Sequence, residues 1–375
     1  MIALAVFLLL IWLANVAMAL HRLRTIPRLD PSEEGSGAKE IISVIVPARD
    51  EERDIQAALR SILVQEGVDL EVIAVNDHSA DDTGAILDRM AAADPRLRVV
   101  HDPILAEGWL GKANAMRAGL DLAAGEYVLF TDADVVHHPR CFLTALRELR
   151  HCRLDLVSAL PHLQVRLFWE HAMLPMFISG MAKLVPEKRQ MDPGRPDAVA
   201  SGALILVQRE VLDKVGGLAA VKEDMADDVA LARVVKRAGF RAGYRLAPQL
   251  MTLELFKSNR EAFSGTTKNI LLVIEESIWL APVLPFFTFM LFGYPLFLVG
   301  LGLGRHDLLL AAVGMGVYLV QYASLFITRG QFSFHPLPAL MFPLAMVIVS
   351  WCGLRAFFLR RRGKITWRGR TLRVR

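Results

Sequence analysis

The chain has 375 residues, a hydrophobic share of 54% and a net charge of +4, which is more than one average domain, with apolar sequence to place outside it. Nine Arg and Lys and no acid lie between Arg355 and Arg375, so the basicity is a tail of the kind that faces anionic lipid and not a nucleic-acid-binding face. Cys141, Cys152 and Cys352 show no paired spacing, which argues against a structural zinc site and fits a reducing compartment.

Met1 to Leu20 is apolar except for Asn15 and runs into His21, Arg22, Arg24 and Arg28. That length suffices to cross about 30 Å of hydrocarbon. Its positive charge follows the apolar run, whereas a cleaved signal peptide starts basic, so residues 1–24 are expected to be a retained membrane anchor. Residues 25–39 end in PSEEGSGAK, rich in Gly, Ser and charge, and are expected to be a tether. Residues 40–269 have ordinary charged, periodic sequence and are long enough to bury a core of their own.

Within that domain, Ile41 to Ala48 is a β-branched run ended by Pro47, and a helical pattern follows from Glu51 to Gln65. Leu70 to Asp77 predicts a second strand, and Asp81, Asp82 and Thr83 open a second helix, where acids suit the first turn. RLRVVH, GKANAMRAGLDLAA and EYVLFTDAD continue as strand, helix and strand. The alternation predicts an α/β fold, with a mainly parallel sheet flanked by helices and ligands at the carboxyl ends of the strands. No G-x-G-x-x-G follows the first strand, which disfavours a Rossmann dehydrogenase.

Asp77 ends the second strand, and Asp132 and Asp134 end the fourth. Two carboxylates flanking one Ala at a strand end form a DxD motif that can direct oxygens to a Mg²⁺ or Mn²⁺ ion also holding a diphosphate. Leu167 to Pro186 is apolar and reads either as an interfacial helix beside a lipid acceptor or as a buried domain helix. Gly202, Gly216 and Gly217 mark close backbone approach or sharp turns. The acidic run Glu223 to Asp228 precedes a helix, either as a helix start favoured by the dipole or as the source of a base.

Three stretches without charge close the chain: Ser277 to Gly304, Leu308 to Thr328 and Pro336 to Leu354. Three crossings would put the basic tail on the side opposite the domain, against the positive-inside rule. Pro282, Pro285 and Pro295 interrupt the first stretch, and Glu275 and Glu276 precede it. Residues 270–304 are therefore expected to hold an interfacial, re-entrant or transmembrane segment, with the first two favoured, 305–356 a transmembrane hairpin and 357–375 a basic cytosolic tail.

VIVPARDEE (Val44 to Glu52), VNDHSADDT (Val75 to Thr83), GWLGKANAM (Gly108 to Met116), FTDADVVHHP (Phe130 to Pro139) and ADDVALARVVKRAGF (Ala226 to Phe240), in this order, resemble the inverting family 2 glycosyltransferases of GT-A fold. The resemblance implies a nucleotide-diphospho-sugar transferase sheet with transmembrane helices at both ends. It implies that Asp77 contacts the base, that Pro47, Asp50 and Glu51 lie in the loop beside the nucleotide, and that Lys112 lies near the donor phosphates. Asp132 would contact the ribose or sugar side, Asp134 would ligate the Mg²⁺ or Mn²⁺, and Asp228 would be the catalytic base. Gly202, Asp227, Arg260 and Lys268 would lie on the acceptor side or clamp the donor. Asn76 and Asp50 stand where the family often has Asp and Asn.

Leu255 to Asn269 lacks the Gln-x-x-Arg-Trp motif of processive synthases and, with Ile365 to Val374, resembles the hopene-associated and carotenoid lipid glycosyltransferases. That resemblance implies transfer of one sugar, with inversion, from a nucleotide-sugar donor to a lipid acceptor by a multi-pass inner-membrane protein with its catalytic domain in the cytosol. No nucleic-acid partner is expected. The alternatives are a polyprenyl-phosphate glycosyltransferase and a catalytically silent membrane scaffold, although a scaffold has no need of acids at 77, 132, 134 and 228.

Overall fold

The computed structural model describes all residues except 32–39, 182–188, 190, 193, 196, 274–280, 329–331, 363–364, 368–369 and 373–375. The chain divides into a helical unit (Met1–Arg24, Val165–Leu184, Leu255–Arg375) and a sheet unit (Thr25–Gln164, Val185–Glu254). Helix α1 (Ile2–Thr25) opens the chain. The sheet unit then runs β1 (Ile41–Ala48), α2 (Ile55–Leu63), β2 (Asp69–Asn76), α3 (Thr83–Ala93), β3 (Leu97–His101), α4 (Gly111–Leu120), β4 (Tyr127–Phe130), β5 (Val135–His137), α5 (Cys141–His151) and β6 (Leu156–Gln164). After α6 (Phe168–Met181) of the helical unit come β7 (Ile205–Gln208), α7 (Arg209–Lys214), α8 (Asp227–Arg237) and β8 (Ala242–Glu254).

The strand order is β3-β2-β1-β4-β7-β6-β8-β5. From β3 to β4 the pairs are parallel, as the strand and helix alternation predicts. Beyond β4 the sheet is mixed: β7 is antiparallel to β4 and β6, β6 and β8 are parallel, and β5 is antiparallel to β8. Only Thr131 to Asp134 separate β4 from β5, too short for the crossover a parallel neighbour needs, and β5 pairs with β8 at the far edge of the sheet.

β1 is buried along nearly all its length, as a central parallel strand covered on both faces should be. Its alternate residues serve two cores: Val44 and Val46 join Ile55, Leu59 and Ile62 of α2, while Ile45 joins Leu231, Ala232 and Val235 of α8. The apolar spacing 55, 58, 59, 62 is the one-faced pattern of a helix packed on a sheet.

The helix expected from Glu51 starts only at Ile55. The Glu51 N–H donates to Thr83 Oγ1 (2.8 Å) and the Glu52 N–H to Asp81 Oδ2 (3.1 Å), so this backbone is tied to the next loop. Within 25–39, Pro27 to Leu29 is stitched to β8, with the Leu29 N–H donating to the Leu246 carbonyl at 2.8 Å and the Leu246 N–H to the Pro27 carbonyl at 3.0 Å. The part of the expected tether from 32 to 39 lies outside the described residues.

The helical unit continues with α9 (Asn259–Val273), α10 (Leu284–Thr288), α11 (Tyr294–Gly304), α12 (Leu308–Leu325), α13 (Pro336–Ala339) and α14 (Phe342–Arg361). Ile2–His21, Ala281–Gly304, Leu308–Leu325 and Phe342–Arg361 are long and apolar enough to cross a membrane. Of the segment expected to be interfacial or re-entrant, 277–280 lie outside the described residues. The rest is helical, and Phe289–Gly293 joins α10 to α11 as a π-helical turn. Pro295 lies in the first turn of α11 and cannot donate to the preceding turn, so a local break in the helical ladder there is expected. The fully buried Gln321 caps the break, donating from Nε2 to the Leu291 carbonyl at 2.6 Å.

Candidate active site

Four segments distant in sequence meet at the end of β4. Lys112 lies in the first turn of α4 and places Nζ 2.8 Å from Asp132 Oδ1 and 3.5 Å from Asp227 Oδ2. Asp132 leaves β4 by donating its N–H to the Gly202 carbonyl at 3.1 Å, and the Gly202 N–H donates to Asp228 Oδ2 at 3.0 Å. Gly202 therefore bridges the two acidic elements through its own peptide groups. A Cβ there would come within 2.8 Å of Asp132 Oδ2 and 3.1 Å of Lys112 Nζ, so any side chain at this position would displace the ends of those two groups.

Asp227 and Asp228 form the first turn of α8, where the helix dipole favours negative charge. The second Asp228 oxygen accepts from the Val229 N–H at 2.8 Å. Even so, burial first and the neighbouring Asp227 second push the Asp228 carboxyl up to about 6, against the opposing pull of Lys112. Burial acts to lower the Lys112 pKa, but Asp132, Asp227 and Asp228 outweigh it and hold the ammonium charged. Tyr244 on β8 is buried, and burial followed by the Asp228 charge raises its phenol.

A second group of residues lines the ends of β1, β2 and β3. Pro47 lies in β1 opposite Val75. Asp50 donates its N–H to Ser79 Oγ (3.0 Å) and accepts the Ala80 N–H on Oδ1 (2.8 Å), while Glu51 and Asp77 are both 4% exposed. Asp77 lies 3.2 Å from His78 Nδ1 and 4.0 Å from Arg49 Nη1. Asp81 accepts from Thr83 and Glu52, a loop-tying role that agrees with its reading as a structural acid. Asp50, His78 and Asp102, each one or two residues beyond its strand, adopt φ of 54°, 59° and 47°. Left-handed non-glycine residues at three adjacent strand ends mark a loop set held in shape from outside.

Residues 43–216 match the model of the family described as Glycosyl transferase family 2. The chain carries a family 2 glycosyltransferase domain. It is 27% identical over 356 residues to the 4,4'-diaponeurosporenoate glycosyltransferase of Staphylococcus aureus, covering 88% of this chain and 87% of that one. It is 34% identical over 118 residues to the uncharacterised glycosyltransferase EpsJ of Bacillus subtilis, 32% of this chain, and so spans 33% of the length of that relative. In fold it is similar to a mannosyltransferase from Pyrobaculum calidifontis solved with GDP-mannose and Mn²⁺, with a TM-score of 0.53, 19% identity and coverage of 94% and 98% of the two chains. The sheet is thus GT-A-like.

In this family 2 domain, Asp134 is half-buried immediately before β5. Among the described residues no three His, Cys, Asp or Glu side chains converge as a metal cage. Asp134, which the family resemblance makes the ligand, is a hard oxygen donor of the kind a divalent ion takes together with substrate phosphates and water. Arg260 and Lys268 lie on α9 and belong to the helical unit.

Several residues of the family 2 domain gain a role only from the structure. Thr131 donates to the Ala203 carbonyl at 2.8 Å and lies 3.3 Å from Nε2 of His137, which burial holds neutral, at about 4. This buried contact fixes the backbone just before Asp132. Arg49, His78 and Asp102 carry no sequence signal beyond their place after strands, and only the backbone geometry sets them apart.

Proposed function

We propose that the chain transfers one sugar from a nucleotide-sugar donor to a lipid hydroxyl, with inversion, in a single displacement. The supporting observation is the gathering of Asp132, Asp227 and Asp228 around Lys112, with Asp228 raised to about 6. A carboxylate tuned toward neutrality is a better base near pH 7 than an ordinary one. Asp228 takes the acceptor proton as the hydroxyl attacks the anomeric carbon. Lys112 holds the donor phosphates, Asp132 the ribose or sugar, Asp77 the base, and the Gly202 peptide fixes Asp132 and Asp228 relative to each other. A Mg²⁺ or Mn²⁺ ion bound through Asp134 would offset the charge of the departing diphosphate.

The lipid acceptor is supported by the four apolar helices and by the likeness to the 4,4'-diaponeurosporenoate glycosyltransferase. With the domain in the cytosol, where nucleotide sugars are, residues 305–356 form a two-span hairpin in the inner membrane and the basic tail stays inside. The test is to incubate membranes containing the full chain with labelled nucleotide sugars and a total lipid extract. One lipid-soluble product heavier by a single hexose is expected. A ladder of increments, or no lipid product with any donor, refutes the reading.

A further inference from the structure

The buried Lys236 has no part in the chemistry just described. It lies in the last turn of α8 and is fully buried, and its Nζ donates to the Arg189 carbonyl at 2.5 Å and the Asp197 carbonyl at 2.7 Å. Burial lowers its pKa, while Asp197 and then Asp192 oppose that. Burying an ammonium is costly unless its donors are met, and here they are spent on backbone carbonyls of the segment that leads to Gly202. A long apolar residue would pack at that place without the penalty.

Asp197 to Gly202 is held along its length. Ala198 and Ala200 belong to the same apolar cluster as Leu231, Ala232 and Val235 of α8. The Ser201 N–H donates to Ser158 Oγ at 2.8 Å, and Ser158 Oγ donates back to the Ser201 carbonyl at 3.2 Å. Gly202 then joins Asp228 and Asp132. The eight residues from Asp228 to Lys236 span about 12 Å of helix, and the five steps from Asp197 to Gly202 reach at most about 18 Å. One helix thus holds the strap at both ends, with the chain between them short of full extension.

We propose that Lys236 is a positioning residue that, through the strap 197–202, holds the Gly202 N–H on the Asp228 carboxylate. The inference rests on the reading of Asp228 as the base. Its test is hydrogen exchange on the full chain in detergent micelles, without ligand, for wild type, Lys236→Met and Ser158→Ala, with the pH dependence of transfer measured alongside. Ser158→Ala loosens the strap without touching the buried ammonium and so tests the coupling of the strap to Asp228, while Lys236→Leu decides the part of Lys236 if Lys236→Met fails to fold.

Exchange at Gly202 should be at least about tenfold faster in both variants, with β1 to β4 unchanged. Loss of an N–H donor to Asp228 should move the acid limb of transfer up by about half to one pH unit. The other groups facing Asp228, namely Asp227, Lys112, Asp132 and Tyr244, are untouched in both. Unchanged exchange at 197–202, equal loosening of the whole sheet unit, or faster exchange with an unmoved acid limb overturns the proposal. If wild type transfers no sugar from any donor, the reading of Asp228 as base fails instead, and exchange alone judges the strap.

Discussion

Asp228→Asn separates the proton affinity of this carboxyl from its hydrogen bonds. Raising the carboxyl from 3.8 to about 6 means that folding favours the neutral form by at most about 3 kcal/mol. A carboxyl with a raised folded pKa contributes stability below its unfolded pKa and loses it as pH climbs through the folded one, here between about 4 and 6. Asparagine escapes that loss. It keeps only one of the two acceptor oxygens that meet the Gly202 and Val229 N–H groups, a penalty of about 1–2 kcal/mol at every pH. Linkage gives a relief of about 1 kcal/mol at pH 4.5 and about 3 at pH 7.5. The variant should therefore be no more stable than wild type at pH 4.5 and more stable at pH 7.5. With about 2–4 °C per kcal/mol for a domain of this size, the difference in Tm should grow by about 4–8 °C between the two. Thermal unfolding of the full ligand-free chain in micelles measures it. A difference that is flat with pH, or that shrinks as pH rises, refutes the environment assigned to Asp228. In the same variant, transfer should fall by about 10²- to 10⁴-fold with nucleotide binding retained.

Asp134→Asn should weaken binding of nucleotide diphosphate and Mn²⁺ together by about tenfold or more; calorimetry giving wild-type affinity would remove Asp134 from the metal site. Gly202→Ala forces a methyl against Asp132 and Lys112 and should cut transfer by at least about tenfold with the circular dichroism spectrum unchanged; wild-type turnover would show that the close approach is not needed. A cysteine placed at Thr371, after removal of the three native ones, should resist an impermeant maleimide in intact cells and react after lysis. Labelling of intact cells would mean that three crossings follow the domain.

Much of the site was legible because its residues fall where chain topology puts ligands. Asp77, Asp132 and Asp134 each follow a buried strand, and Asp227 and Asp228 open a helix, which are local signals. That Lys112 and Asp227 meet across more than a hundred residues was implied only by the family resemblance, since no local pattern encodes a long-range ion pair. The parallel half of the sheet followed from strand and helix alternation. The mixed half did not, because three-residue β5 and four-residue β7 are too short to give a periodicity. The left-handed turns at Asp50, His78 and Asp102 were equally hidden, since Asp and His tolerate that conformation without requiring it. Lys236 reads as one more solvent-facing charge on an amphipathic helix until its burial is seen.

The stitch between Pro27 to Leu29 and β8 joins one of the first segments of the domain to leave the ribosome to the last strand made. At about 5–20 residues per second, roughly ten to forty seconds of synthesis separate them. Throughout that interval β6 lacks its partner in β8, β5 has no strand to pair with, and Leu29 has nowhere to bury. Meanwhile α1 and α6 have already emerged. The nascent domain must therefore wait, with an open edge, beside whatever machinery is receiving the apolar helices, so a pause in translation shortly before residue 242 would prolong the period in which it is most prone to aggregate.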